Sequence, residues 1–223
     1  MAGFATVFKI NWLKTIYLNF RYFSLAEALK LPIFVYRGVK IRSSRGNIVV
    51  KGDLSIGMLK IGPNGVGTID TMTEPTIWQS DGTLVLHGKA MFGVGSRLCI
   101  GKGAELSLGK DFMITGRSTI ICGKRIAFGN DCLLSWDILM MDTDLHKVTI
   151  PLEGEKKVIN NAEQITVGNH VWIGCRNTIL KGVSIPDNTV VAANSTITKS
   201  FFEENTIIGA SNKVLKTGIS WEQ

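Results

Sequence analysis

Between Ile165 and Phe201 an apolar side chain returns at every sixth residue: Val167, Ile173, Ile179, Ile185, Val191 and Ile197. A second register sits four positions later and holds smaller side chains, Val171, Asn177, Val183, Thr189 and Ser195. Neither the 3.6-residue period of a helix nor the two-residue alternation of a strand makes a strict six over so long a stretch. A short fixed repeat implies stacked units, each too small to bury its own apolar face. Six is the period of a parallel β-helix built from hexapeptides. Two positions per hexad point into a common core, the chain then turns, and three hexads close one triangular coil. The turns carry Gly168, Asn169, Gly174, Gly182, Asp187, Asn188 and Asn194, residues that tolerate left-handed backbone or bond their own main chain. The predicted class is all-β, a hexapeptide-repeat solenoid.

Upstream the pattern is less regular. Between Ile48 and Leu86 short β-like runs alternate with Gly-rich turns out of register, which predicts wide or imperfect coils. From Leu108 the spacing of six returns through Ile114, Ile120, Ile126, Cys132 and Ile138, with Phe128, Leu134 and Met140 as companions. It breaks between Met140 and Val167, where the strongly polar DTDLHKVTIPLEGEKKVINNAEQ predicts a loop extruded over about 141–164. Three segments follow: an N-terminal one over 1–45, a β-helix over 46–208 interrupted by that loop, and a tail over 209–223.

The first segment holds eight Lys or Arg against one acid, Glu27, and is crowded with aromatic residues from Phe4 to Tyr36. Leu25 to Leu31 reads as one or two helical turns, capped by Ser24 and ended by Pro32. Two readings compete here. One is a cap over the open first coil, whose strand edges otherwise invite aggregation. The other is a basic aromatic face lying on an anionic membrane surface.

The formal net charge of +7 points to an anionic ligand or surface. Without a basic helix or an RNA-binding signature, no nucleic-acid partner is expected. Cys99, Cys122, Cys132 and Cys175 form no CxxC pair and read as small core or turn residues of a reducing cytosol. With no secretory signal and no run of ~18 apolar residues, the expected location is cytoplasmic, with peripheral contact at the inner membrane face under the second reading.

The stretch HVWIGCRNTILKGVSIPDNTVVAANSTITKS resembles the signature of the hexapeptide-repeat acyltransferases, and the N-terminal pattern KTIYLNFRYF…ALKLPIFVYRGVKI resembles that of their sugar and capsular polysaccharide O-acetyltransferases. The tail IIGASNKVLKTGISW is similar to that family's closing segment, and the likeness reaches back to about Ile100. The resemblance implies a left-handed coil, a homotrimer with active sites between neighbouring coils, acetyl-CoA as donor, no metal, and direct transfer to a saccharide hydroxyl.

Of the three histidines, His87 and His170 sit in turn-like settings, whereas His146 lies in the one loop that interrupts the repeat. SWDILMMDTDLHKV resembles the family segment that carries the catalytic histidine, with Trp172 following His146 by 26 residues. An imidazole near neutrality can take the alcohol proton. A carboxylate on its other nitrogen would fix the tautomer, with Asp144 preferred over Asp142. The resemblance also assigns Trp172 and Cys175 to the thioester end of acetyl-CoA, Ala193, Thr198 and Lys199 to its pantetheine arm and adenine, and Lys213 and Lys216 to its phosphates. Cys175, Lys181 and Ser211-Asn212 depart from the family pattern, and the acceptor-holding asparagine has no counterpart in MITGRS. Two other readings remain, a non-enzymatic β-helix scaffold and an acetyltransferase for a non-sugar acceptor. A zinc carbonic anhydrase of this fold is rejected, because its paired histidine ligands do not match histidines spaced 59 and 24 residues apart.

Overall fold

The computed structural model describes residues 8–63, 66–70, 73–152, 155–210 and 212–222; Phe4 and Ser211 lie outside them. Three parallel sheets form the walls of a three-sided coil. Face I has nine strands: Ile33–Val35, Leu59–Ile61, Ala90–Phe92, Phe112–Gly116, Leu133–Trp136, Trp172–Ile173, Val190–Val191, Thr206–Gly209 and the antiparallel Lys213–Thr217. Face II has seven, from Val39–Ser43 to Thr196–Ile197, and face III six, from Asn47–Val50 to Ser184–Ile185. Each parallel strand pairs with the one a full coil away, so backbone hydrogen bonds run along the axis.

The hexads explain the interior. Val167, Ile173, Ile179, Ile185, Val191 and Ile197 are buried, and so are the smaller Val171, Asn177, Val183, Thr189 and Ser195. The buried polar ones find partners: Asn177 Nδ2 donates to Gly174 O at 2.8 Å, and its Oδ1 accepts the Ser195 N–H at 2.7 Å. In this region the coil takes 18 residues, Thr166 pairing with Ser184 and Trp172 with Val190.

The stretch from Leu108 departs from expectation. Glu105 pairs with Arg125 and Thr119 with Leu139, so these coils take 20 residues. All six residues of that series are buried. Yet Leu108 pairs with Phe128, whereas Ile126 pairs with Leu106. The spacing of six therefore crosses from one inward position to the other where the corner between faces II and III is two residues wider. Earlier coils are irregular, Ile33 pairing with Leu59 and Asn47 with Thr83. Strands Ile33–Val35 and Val39–Ser43 already belong to the sheets, so the first coil begins inside the segment 1–45.

Two corners turn on a left-handed residue. Between faces III and I these are Asp111, Asp131, His170, Asn188 and Asn205, with φ from 52° to 57°. Asn and Asp accept this conformation most readily, whereas a histidine there carries some strain. At the same corner Gly129 has no room for a side chain, because a Cβ would lie 2.6 Å from the Gly168 carbonyl.

Among the described residues two short helices precede the coil, α1 over Trp12–Tyr22 and α2 over Leu25–Ala28. The second is shorter than the sequence predicts; Leu31 takes φ 49° before Pro32. Helix α1 turns polar residues inward, against the edge strand Ile33–Val35. Asn19 Nδ2 donates to Ile33 O at 2.8 Å and its Oδ1 accepts the Ile33 N–H at 3.0 Å. Thr15 Oγ1 likewise accepts the Val35 N–H at 3.0 Å. Side chains thus stand in for a neighbouring strand.

Candidate active site

The loop leaves face II after Leu139–Met141 and rejoins face III at Ile165–Val167, at the corner that is already widened one coil earlier. Within it Thr149–Leu152 and Glu155–Val158 form an antiparallel hairpin. Its root is fastened by Asp142, which is fully buried. One carboxylate oxygen accepts the Gly123 N–H at 2.6 Å, and the other accepts those of Lys124 and Arg125 at 2.8 and 2.6 Å. The main-chain carbonyl of Asp142 accepts the Glu163 N–H at 3.0 Å, which closes the loop.

This corrects the reading of Asp142 as a partner for His146. Its oxygens are engaged by three amides of the wide corner, which otherwise point at no acceptor. Asp144 is exposed and directed elsewhere too: its Oδ2 accepts from Lys181 Nζ at 2.5 Å and from Asn160 Nδ2 at 2.8 Å. Those two donors, the Lys181 bond first, hold its carboxyl below the usual carboxylate range. Asn160 also donates to the His146 carbonyl at 2.8 Å and accepts the Val148 N–H at 2.6 Å. His146 is therefore positioned through its backbone. Its ring is exposed and makes no hydrogen bond to either aspartate among the described residues.

The residues assigned to the donor lie on outward positions. Trp172 is exposed on face I and donates its indole N–H to Ser135 Oγ at 3.1 Å. Cys175 and Ala193 occupy successive coils at the corner between faces I and II, where the Asn194 N–H donates to Cys175 O at 2.9 Å. Thr198 and Lys199 lie past the end of face II, on the corner from which the loop emerges. Their amides both donate to Asn212 Oδ1, at 2.7 and 3.3 Å. Lys213 and Lys216 are exposed on the last strand of face I. No carboxylate pairs with Lys199, Lys213 or Lys216 among the described residues. Within one chain, Trp172 lies on face I and His146 in the loop that leaves face II, so a corner of the coil separates them.

An Asp–His pair of the kind sought at His146 exists at His170. Its Nδ1 donates to Asp131 Oδ2 at 2.5 Å, chiefly for which its pKa is raised. However, Nε2 donates to the Trp221 carbonyl at 3.0 Å, and the ring stacks on the Trp221 indole with centroids 4.2 Å apart. Both ring nitrogens are thus engaged, one by Asp131 and the other by the tail. Spacing gave no hint of this tether, because residues 131, 170 and 221 meet only in the coil. Burial pushes the Cys122 and Cys132 thiols up to about 12, far from a reactive thiolate.

A parallel three-walled coil built from hexads defines a class, and the sequence carries its repeat. The profile described as "Bacterial transferase hexapeptide (six repeats)" matches residues 164–199. A polysialic acid O-acetyltransferase of Neisseria meningitidis is 40% identical over 73 residues, 33% of this chain and 33% of the relative. The galactoside O-acetyltransferase of Escherichia coli K12 is 28% identical over 114 residues, 51% and 55% of the two chains. The chain thus spans between a third and about half of the length of these curated relatives. Among solved structures, the polysialic-acid-specific acetyltransferase NeuO superposes with a TM-score of 0.52 at 20% identity, over 83% of this chain and 72% of that one. That likeness is one of fold.

Proposed function

We propose that the protein is an O-acetyltransferase that moves the acetyl group of acetyl-CoA to a hydroxyl of a saccharide, in surface or capsular polysaccharide biosynthesis. One observation carries the reading. In the segment that matches the transferase repeat, every hexad position is spent on the core, while Trp172, Ala193, Thr198 and Lys199 remain exposed on its outside. Relatives named for acetyl transfer to polysialic acid and to galactosides align with this chain. Unpaired Lys199, Lys213 and Lys216 suit the phosphates of CoA.

His146 acts as general base. Its free ring nitrogen takes the proton of the acceptor hydroxyl as that oxygen bonds to the thioester carbonyl carbon. The carbon–sulfur bond breaks, and the departing thiolate recovers the proton from the imidazolium, with no acyl-enzyme. The ring gains its orienting partner from a bound substrate or from a neighbouring copy, since both loop aspartates of its own chain are engaged. A homotrimer of left-handed coils supplies that neighbour: packing face II against the next copy would bring the loop of one chain toward Trp172 of another. The outward row Ile121, Met141 and Leu180 on face II is apolar and half-buried, as such a contact requires.

The test is acetyl-CoA turnover over a panel of glycans, run beside His146→Ala, with melting temperature measured with and without CoA. Turnover should fall ~10²–10⁴-fold in the variant, while the CoA-induced rise in melting temperature persists. Equal turnover by both proteins removes His146 as base. If CoA shifts neither protein and no glycan is acetylated, the scaffold reading replaces the enzyme.

A further inference from the structure

Helix α1 buries one apolar side chain fully, Leu18, and leaves most of the others outside. Its polar Thr15 and Asn19 are buried, whereas Leu13, Ile16, Tyr17 and Phe20 are 85%, 48%, 52% and 48% exposed. Their spacing of three, four and seven puts them in one stripe along the helix. Leu25 and Leu29, both 67% exposed, extend the apolar surface past the helix end. The neighbouring strand Val39–Ser43 is held alongside: Lys9 O accepts the Arg37 N–H, Lys14 Nζ donates to Val39 O, and Tyr17 Oη meets Ser44 Oγ. That arrangement sets exposed Lys9, Arg37, Lys40 and Arg42 around the stripe. None of the four is paired with a carboxylate among the described residues, and Glu27 is the one acid in 1–45.

We propose that this surface lies on an anionic lipid bilayer, with the stripe in the headgroup boundary and the cations against lipid phosphates. Aromatic rings with polar edges, such as Trp12 and Tyr17, suit that boundary. No helix among the described residues is long and apolar enough to cross a membrane, so the contact is one of lying on the surface. A second copy fits the stripe less well, since a self-complementary contact would bring two sets of unpaired cations together. Apolar side chains supply the insertion and the cations select the lipid. This inference is independent of the acetyl-transfer reading, because α1 takes no part in the proposed chemistry.

Co-sedimentation of the whole protein with phosphatidylcholine vesicles, and with the same vesicles containing phosphatidylglycerol, tests it. Binding should require the anionic lipid and weaken with salt. Removing each of Arg37, Lys40 and Arg42 by alanine should lower the partition constant about fivefold. The pair Leu13→Ser and Phe20→Ser should abolish binding while the melting temperature holds; the charge variants decide the matter if that pair does not fold. Absence of binding to anionic vesicles overturns the proposal. So does a fall in oligomer mass on light scattering for Leu13→Ser/Phe20→Ser with no vesicle binding by the native protein, which assigns the stripe to contact between copies.

Discussion

Removing the Asp142 carboxylate should unfasten the wide corner, and with it the root of the loop. In Asp142→Ala three main-chain amides, of Gly123, Lys124 and Arg125, lose a charged acceptor held at 2.6–2.8 Å. A hydrogen bond to a charged group contributes about 1.5–3 kcal/mol, and a buried donor left alone is costly. Some water will reach this partly exposed turn, so the expected loss is about 4 kcal/mol, enough to move an unfolding midpoint far outside error. Asp142→Asn keeps the size and one good acceptor oxygen, but presents an NH₂ to an N–H; about 2 kcal/mol is expected. Urea unfolding at fixed protein concentration measures both, with turnover measured well below each midpoint. The loss should be one of stability, and the folded Asp142→Asn enzyme should turn over within a few-fold of the native rate. Asp142→Ala unfolding with the native midpoint while losing turnover a hundredfold would falsify this reasoning and return the carboxylate to the chemistry.

Two further outcomes follow from the geometry. His170 has a raised pKa in the folded chain, so its share of stability is complete below the ordinary histidine value near 6.5 and is lost as pH rises through the raised one. Tail opening, read by hydrogen exchange or Trp221 fluorescence, should therefore increase on the alkaline side. His170→Gln should flatten that dependence; a native tail that loosens toward acid contradicts the tether. Gly129→Ala should destabilise by about 3 kcal/mol, since its Cβ would meet the Gly168 backbone at 2.6 Å. Gly103→Ala, with φ 79° and no atom within 4 Å of the new carbon, should cost about 1 kcal/mol. Thermal melts in the reverse order would show that the corner relaxes.

Much of the coil was legible along the chain. A buried position every six residues, with Asn, Asp and Gly between, states its own geometry, because each hexad meets the same neighbours one coil above and below. The corner that widens by two residues was not legible. Ile120 and Ile126 keep the spacing of six across it, and only cross-strand pairing reveals that the second has slipped to the other inward position. Helix α1 also escaped the pattern. The edge strand Ile33–Val35 needs hydrogen-bond partners, and that need, which arises only in the coil, draws Asn19 and Thr15 inward beside Leu18.

The site divides in the same way. Repeat and break, read by themselves, determined where the exposed hexad residues fall and that His146 stands in the interrupting loop, because a solenoid can place an insertion only at a corner. Tertiary structure alone decided which carboxylate does what: Asp142 went to the amides of residues 123–125, Asp144 to Lys181 and Asn160, and Asp131 to His170. Those pairings join groups up to 39 residues apart, brought together by stacking, and a carboxylate bonds whichever donors the neighbouring coil presents.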